Sequence, residues 1–392
     1  MQPRVGAYAS VFVAILATLV GLGFGFLRSS DALLASTMGD TLELRSEPLS
    51  VEKHLILGCS PLAGIYGSIP ETQAFATVKT ALDLGFRDFD TAPHYGLGLS
   101  ESRLGKAIEM HAKEDTHGSV RLWSKVGRVM KPSAEITSDD EPNIERGNIP
   151  GNPGCIFPDA PRDVKPVLDY SYSGVMTSYE HSVTRMGKAT EKYGIHGLRV
   201  HDAEDDLRFN SSVADGGGVD ALVELRTRGK IQAVSLGMND PVYVKRMITE
   251  KPSGTFDSIM SAGTWNLIDQ DGLDLMLECQ KKGIKIHNAG IFASGLLVGG
   301  GYYKYEPAPV EILERRAQWQ NLAAKHSIAL PAVAIAFALA PAVVEKAAVG
   351  VKSPEEVTMN AEWLEMAGKV PKELWIEAKE MGLLGKDVPT PK

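Results

Sequence analysis

The fold is decided by the stretch Gly85-Phe86-Arg87-Asp88-Phe89-Asp90-Thr91-Ala92-Pro93-His94-Tyr95-Gly96. A short apolar strand carrying Phe86 and Phe89 ends at Asp90, Tyr95 follows in a turn, and a helix opens soon afterwards. Strand, turn and helix in this order form the repeating unit of parallel α/β proteins. Ligands bind at the carboxyl ends of the strands in such proteins, so Asp90 and Tyr95 are expected to lie at a site.

From residue 50 onward, strand-like apolar runs alternate with helix-like segments. The strand-like runs are Leu55–Leu57, Phe86–Phe89, Val120–Trp123, Gly197–Val200, Ile231–Leu236, Phe256–Met260, Ile284–Ile286 and Lys346–Val349. The helix-like segments are Glu71–Leu84, Glu101–Met110, Ser173–Met186, Val219–Thr227, Val242–Thr249, Gly272–Lys281 and Val310–His326. Eight strand–helix units predict a (β/α)8 TIM barrel. A doubly wound sheet is the alternative, but no GxGxxG motif follows the first strand.

One connection is unusually long. Residues Met130–Tyr170 follow the third strand and contain Pro, Gly, Asn and acidic residues with little periodicity. A loop of this length in a compact domain is usually a lid or binding loop, and the alternative is a disordered insertion. Pro and aromatic residues within 157–166 favour an ordered lid over the catalytic face.

Composition excludes several classes of protein. The chain has 392 residues, of which 44% are hydrophobic, and a spread-out net charge of −8 that indicates no nucleic-acid surface. Its three cysteines lie far apart without a CxxC motif, so we predict neither a disulfide framework nor a metal site.

The amino terminus differs from the rest of the chain. Residues 5–27 carry no charge and lie between Arg4 and Arg28, which is long enough for a membrane-spanning helix. A membrane anchor and a cleaved secretory or organelle-targeting segment are both open; a buried helix is disfavoured by three glycines. We therefore predict an anchor or targeting segment in residues 1–40, and a barrel domain, soluble on its own, in residues 41–392.

Four polar residues end three successive strands in an order that suits proton transfer. Tyr95 is the candidate general acid/base, and a neighbouring Lys125 ammonium is expected to lower its usual pKa of about 10. Asp90 is expected to hold Lys125, and His201 to orient the substrate oxygen. Each residue alone is more simply a capping, packing or solvated group, but their conjunction favours a site. His94 is expected to shape the substrate pocket.

A site of this kind that also transfers a hydride requires a cofactor, because no side chain accepts a hydride. In a barrel the cofactor's phosphates bind near the last strands and a helix amino terminus. Gly350, Lys352 and Ser353 match this pattern, with a glycine for close approach, a basic residue and a helix start. The simpler interpretation is a strand–helix turn in which Ser353 caps the helix.

The sequence resembles the aldo-keto reductases from about residue 55 to 363, and is most similar to their sugar dehydrogenase branch, the L-galactose and L-fucose (D-threo-aldose) 1-dehydrogenases. The motifs are residues 90–101, 124–128 and 169–175. The resemblance implies NAD(P)-dependent oxidation of an aldose at its anomeric carbon to the lactone. It also implies a catalytic tetrad of Asp90, Tyr95, Lys125 and His201. By the same analogy, Asn239 contacts the nicotinamide carboxamide, and the adenosine phosphate end contacts Gly350, Lys352, Ser353 and Asn360.

Three departures qualify the resemblance. Glu356 stands where phosphate-binding members often carry Arg, which favours NAD over NADP, although Lys352 argues mildly for NADP. Residues 287–290 lack the aromatic residue that many members stack on nicotinamide. Arg199 lies inside an otherwise apolar strand, and we expect it to point outward toward a helix or to line the pocket.

Other functions stay open at this stage. One is a carbonyl reductase of broad aldehyde and ketone range on the same barrel, and another is a non-catalytic dinucleotide-binding barrel tied to a membrane partner. A third uses Lys125 as a Schiff-base nucleophile, against which the nearby Tyr95 argues. The sequence does not define the sugar or the oligomeric state.

Overall fold

Eight parallel strands close into a barrel in the computed structural model, which describes residues 41–113, 120–152, 154–304 and 306–392. The predicted anchor or targeting segment lies outside the described residues. The barrel strands are β1 Leu55–Gly58, β2 Asp88–Asp90, β3 Arg121–Val126, β4 Gly197–His201, β5 Ala233–Met238, β6 Ser258–Ala262, β7 Lys285–Ala289 and β8 Val344–Gly350. Each strand pairs with its neighbours in sequence, and β1 pairs with β8. The predicted (β/α)8 barrel is confirmed.

Helices surround the barrel in the expected alternation. The helices that follow the strands are α1 Glu71–Asp83, α2 Leu99–His111, α3 Tyr172–Met186, α4 Gly218–Thr227, α5 Pro241–Glu250, α6 Leu273–Lys282, α7 Val310–Lys325 and α8 Pro354–Ala367. Additional helices are Val51–His54, Lys188–Tyr193, Asp206–Val213, Leu330–Ala338 and Lys372–Glu380. The sequence did not predict Leu330–Ala338, because this helix is apolar on nearly all sides and therefore lacks a 3.6-residue polar period.

The long connection after β3 is ordered. It begins and ends in a two-stranded antiparallel ribbon of Arg128–Pro132 with Val164–Leu168, in which Arg128 pairs with Leu168. Between the strands, the lid loop (residues 133–163) contains three short 3-10 turns, and Phe157 within it is buried. The described residues of this connection therefore form an ordered lid rather than a disordered insertion. The sequence analysis did not predict the antiparallel ribbon.

The first described residues pack against the barrel. The Glu43 amide donates to Gln280 Oε1 at 2.9 Å, and Arg45 Nε donates to the Leu339 carbonyl at 3.0 Å. Across the described ranges, no single helix is long and apolar enough to cross a bilayer; only α7 and Leu330–Ala338 pass that test jointly, and they are bent by 100°.

Candidate active site

Strands β2 and β3 bring Asp90 and Lys125 together inside the barrel mouth. The Lys125 ammonium donates to the Asp90 carboxylate, to the Thr91 carbonyl at 2.9 Å and to the Tyr95 hydroxyl at 3.0 Å. Its three donors are therefore used, which fixes its direction. Burial opposes the charged amine, but Asp90 and Tyr95 outweigh burial and raise the pKa of Lys125 above its usual value. Lys125 is thus a cation aimed at a phenol, a poor starting point for a Schiff-base nucleophile.

The loop after β2 places Tyr95 through close backbone packing. Gly96 has a φ of +62°, and a Cβ there would lie 2.7 Å from the Cβ of Ala63. Glycine is therefore needed to bring this loop against the loop after β1. Leu97 also adopts a left-handed conformation, with a φ of 51°. Backbone conformations of this kind are common at functional sites, and this one lies two residues after Tyr95.

His201 ends β4 and faces Tyr95, with ring centroids 5.9 Å apart and ring planes nearly perpendicular. The Tyr170 hydroxyl donates to the His201 carbonyl at 2.5 Å and so fixes the end of the strand. Burial, and then the charges of Arg128 and Lys125, hold the pKa of His201 well below its usual value. The imidazole is therefore neutral and can donate one hydrogen bond.

The structure corrects the expected proton affinity of Tyr95. Lys125 does lower the pKa of Tyr95, but burial is the larger effect and raises it, and Asp90 raises it further. The net result is a pKa above the usual value, opposite to the prediction. Sequence spacing revealed the ammonium but not how far the loops around the phenol exclude water.

A cavity of about 570 Å³ opens onto all four of these groups. Its remaining wall includes His94, Ile156, Phe157, Asp202, Asn239, Met260 and Gly350. The Phe157 ring from the lid loop lies 5.9 Å from the His94 ring and 6.2 Å from the Tyr95 ring. The lid loop therefore contributes to the cavity that contains the four predicted catalytic residues, and His94 lies in the wall of that cavity.

Arg128, Glu145 and Asp202 form a charged cluster beside the cavity, of which Asp202 lines the cavity, and the sequence analysis missed this cluster. Arg128 Nε donates to Glu145 Oε2 at 2.8 Å, and Arg128 Nη2 lies 3.0 Å from Glu145 Oε1 and 3.1 Å from Asp202 Oδ2. Asp202 Oδ2 is 3.5 Å from His201 Nε2. Burial and Arg128 lower the pKa of His94 to about 3, so His94 is a neutral neighbour. The signal in the sequence was a basic residue, Arg128, shortly after β3 and an acidic residue, Asp202, directly after β4.

The predicted cofactor residues are divided between this cavity and an adjoining one of about 800 Å³. Asn239 lines the first, Lys352 and Asn360 line the second, and Gly350 lines both. Ser353 lines neither and caps α8, since its Oγ accepts from the Glu356 amide at 3.3 Å.

The second cavity fits a dinucleotide. Asn360 is buried, its amide nitrogen donates to the Glu356 carbonyl at 2.8 Å, and its Oδ1 has no partner among the described residues. Gly290 also lines the cavity, and glycine is needed there because a Cβ would lie 2.8 Å from the backbone nitrogen of Gly263. Within the described part of the chain, no group of three or more His, Cys, Asp or Glu residues is arranged to hold a metal ion.

Comparisons with known proteins identify the family. Residues 54–375 match the sequence model of the aldo/keto reductase family. The chain is 32% identical over 337 residues to pyridoxal 4-dehydrogenase from Microbacterium luteolum, covering 84% of this chain and 93% of that protein. It is 29% identical over 345 residues to D-threo-aldose 1-dehydrogenase from a Pseudomonas species, covering 85% of this chain and 94% of that protein. That enzyme belongs to the branch that the sequence resembles.

A solved glycerol dehydrogenase from Gluconobacter oxydans has the same fold, with a TM-score of 0.61 at 19% identity over 91% of this chain and 98% of that one. The family match spans most of the described barrel, and the four predicted catalytic residues meet in one cavity. The chain therefore belongs to the aldo-keto reductase family of NAD(P)-dependent oxidoreductases.

Proposed function

We propose that the chain oxidises an aldose at its anomeric carbon to the lactone, with Asp90, Tyr95, Lys125 and His201 as the catalytic residues. The observation that carries the proposal is the Tyr95 hydroxyl, 3.0 Å from the Lys125 ammonium and facing a neutral His201 across the cavity. A phenol, a cation and a neutral donor around one space suit proton removal from a hydroxyl.

Tyr95 acts as the phenolate, whose negative charge Lys125 stabilises, and becomes a neutral phenol when it accepts the proton of the anomeric hydroxyl. Asp90 keeps Lys125 charged and in place. Neutral His201 donates to the reacting oxygen and so orients it. When bound, the nicotinamide dinucleotide supplies the hydride acceptor, and Asn239, Gly350, Lys352 and Asn360 are the residues we propose to hold it, with Ser353 acting through the turn that it caps.

The charged cluster of Arg128, Glu145 and Asp202 supports a polyhydroxylated substrate. Asp202 lines the cavity beside His201, and Arg128 holds its carboxylate. A carboxylate in this position accepts hydrogen bonds from sugar hydroxyls, and it is poorly matched to an apolar aldehyde. The similarity to D-threo-aldose 1-dehydrogenase points to the same substrate class.

Pyridoxal is the second candidate substrate. The chain is similar to a pyridoxal 4-dehydrogenase over 84% of its length, and the aromatic side chains of Tyr66 and Phe157 line the cavity. A flat aromatic ring packs well against such side chains.

We further propose that NAD is preferred to NADP. Glu356 lines the second cavity, and its carboxylate accepts from the Lys352 amide at 2.9 Å. That hydrogen bond holds a negative charge beside the turn we assign to the adenosine phosphate end, where it opposes a 2′-phosphate.

A substrate panel tests these proposals. Reduction of NAD or NADP by the full-length protein is followed by absorbance with L- and D-aldoses and with pyridoxal, and aldehyde reduction is measured in reverse. Lactone formation from an aldose supports the first proposal, and acid or lactone formation from pyridoxal alone supports the second. Aldehyde reduction without either favours a broad carbonyl reductase, and dinucleotide binding without turnover favours a non-catalytic barrel.

We also propose, from the sequence alone, that residues 5–27 anchor or target the chain. Sedimentation of the full-length protein with membranes, but not of a chain lacking residues 1–40, is the expected result. If both chains sediment with membranes to the same extent, residues 5–27 do not anchor the protein.

A further inference from the structure

Arg199 lies in the interior of the barrel, where its side chain is fully buried. It is two residues before His201 on β4, and alternate residues of a strand share a face. Both predicted alternatives for Arg199 were therefore wrong: its side chain neither points outward to a helix nor belongs to the cavity wall.

Every nitrogen of the Arg199 guanidinium has a partner. Nε donates to Asp90 Oδ2 at 2.8 Å, Nη1 donates to Ser235 Oγ at 2.7 Å, and Nη2 donates to His287 Nδ1 at 2.8 Å. The guanidinium also lies 4.2 Å from the centre of the Trp123 ring. A buried cation with this many partners is held in one position.

His287, on β7, extends the network toward the opposite mouth of the barrel. Because an arginine only donates, Nδ1 of His287 must accept, which places the ring proton on Nε2. Nε2 lies 3.1 Å from Glu345 Oε2, and the Glu345 side chain is 46% exposed at that mouth. A continuous series of hydrogen bonds thus joins the catalytic Asp90 to a surface carboxylate on the other side.

Asp90 is therefore shared by two cations. One oxygen accepts from Lys125 and the other from Arg199. Two positive charges around one carboxylate leave a net positive charge beneath Tyr95, whereas Lys125 and Asp90 alone would be neutral. The phenol is surrounded by titratable or charged groups from several elements. They are Asp90 on β2, Lys125 on β3, His201 and Asp202 at the end of β4, and His94 in the same loop as Tyr95.

We infer that Arg199, held by His287, is a positioning residue that sets the proton affinity of Tyr95 by neutralising Asp90 in common with Lys125. The inference rests on the proposed role of Tyr95 as general base. Arg199 acts through Asp90 and does not contact the substrate. Without the guanidinium, Asp90 neutralises Lys125 more completely and the phenolate loses stabilisation.

The test measures the pH dependence of kcat/KM for oxidation. In Arg199→Met the apparent pKa of the catalytic base is expected to move upward by about one unit, the lower end of the effect of a neighbouring charge. At a fixed pH below that pKa, each unit of upward shift in the pKa lowers kcat/KM about tenfold. Arg199→Lys keeps a charge and should recover part of the shift. Dinucleotide binding, followed by tryptophan fluorescence, should stay unchanged.

His287 variants test the same inference with a smaller disturbance. His287→Gln can still accept from Arg199 and donate to Glu345, whereas His287→Leu can do neither. We expect an upward shift of the profile in His287→Leu that is restored in His287→Gln, and no shift in Glu52→Gln, a control at the same mouth. If Arg199→Met does not fold, this pair decides the question.

Superimposable profiles for the wild type, Arg199→Met and His287→Leu would overturn the inference. Tyr95→Phe, measured alongside, separates this failure from failure of the proposed function. If Tyr95→Phe keeps full turnover, Tyr95 is not the base and the inference falls with it. If Tyr95→Phe is inactive while the profiles coincide, the proposed function stands and Arg199 is purely structural.

Discussion

The two mouths of the barrel contain the same kinds of charged residue but differ in how completely these are paired. At the mouth formed by the amino ends of the strands, buried Asp88 accepts from Arg121 at 2.8 and 2.7 Å, from Trp123 Nε1 at 3.0 Å, and lies 3.0 Å from Lys346. This mouth encloses about 500 Å³, and none of the described buried polar atoms that lack a partner belongs to its lining.

The mouth formed by the carboxyl ends of the strands, which we propose to be the catalytic mouth, has less completely paired buried polar groups. Near it, His94 Nδ1, Arg128 Nη1 and Asn360 Oδ1 are buried without a hydrogen-bond partner among the described residues, and His94 Nδ1 lies 3.8 Å from Glu145 Oε2. Asp202 also adopts a left-handed backbone, with a φ of 49°. Unpaired buried atoms and strain cost stability, and they persist where a ligand or a reaction uses them. The comparison teaches that charge alone does not distinguish the two mouths, whereas unsatisfied buried groups of the described residues occur near only one of these two cavities.

The largest expected effect is at the catalytic mouth. Tyr95→Phe removes only the phenolic oxygen, so oxidation should fall by about 10²–10⁴-fold, the usual contribution of a general base. Dinucleotide affinity should be retained, because Tyr95 is assigned to the substrate side. Steady-state kinetics and a fluorescence titration check both statements, and equal activity in mutant and wild type would remove Tyr95 from the mechanism.

The complementary experiment is at the opposite mouth. Asp88→Ala leaves Arg121 and Lys346 without their buried partner, and breaking a buried ion pair from one side costs about 3–5 kcal/mol of unfolding free energy. Turnover of the folded fraction should stay near that of the wild type. Chemical denaturation and kinetics measure the two quantities, and a loss of turnover without a loss of stability would contradict the division of roles.

The pH dependence of stability tests whether the charge of Asp88 causes the predicted loss of stability. Burial opposes the Asp88 carboxylate, but Arg121 and Lys346 outweigh it and hold the pKa of Asp88 well below its usual range. A depressed pKa contributes stability that is complete above the unfolded value of about 3.9 and is lost as the pH falls toward the folded value. The difference in unfolding free energy between wild type and Asp88→Asn should therefore narrow below about pH 4. A difference in unfolding free energy that does not change with pH would show that the Asp88 charge is not its cause.

Much of the fold was predictable because parallel barrel strands are buried on both faces and form short apolar runs. Even β2, of three residues, was visible because it ends in Asp90. The convergence of Asp90, Lys125 and His201 followed from the same rule, since the ends of successive parallel strands meet at one mouth.

The remainder depends on contacts between distant parts of the chain. Arg199 finds Asp90 and His287 at separations of 109 and 88 residues, so an apolar strand containing one charge could not reveal its direction. Phe157 reaches Tyr95 from an irregular loop without periodicity. The raised pKa of Tyr95 likewise reflects burial by such loops, which composition and spacing do not encode.

A smaller effect is expected where the lid loop is fixed. Burial opposes the charge of Glu145, but Arg128 outweighs it and lowers the pKa of Glu145 to about 2. Glu145→Gln weakens this attachment, and hydrogen bonds to charged groups contribute about 1.5–3 kcal/mol. We expect KM for the sugar to rise about tenfold with a smaller change in kcat. Glu141→Gln is the control, since Glu141 pairs with Arg146 in the same loop but is exposed; equal KM values in both variants would exclude the lid loop from binding.

The smallest expected effect concerns the far end of the catalytic mouth. The Glu356 carboxylate lies beside the Lys352 turn, and two unit charges about 4 Å apart in water interact by about 1 kcal/mol. Glu356→Gln preserves an acceptor for the Lys352 amide and removes the charge, so kcat/KM with NADP should rise about fivefold relative to NAD. Glu355→Gln, one residue earlier on the same helix, controls for a general change of charge. An unchanged NADP/NAD ratio in Glu356→Gln would show that this carboxylate does not select the cofactor. An equal rise in both variants would assign the selection to the overall field at the start of α8 rather than to Glu356.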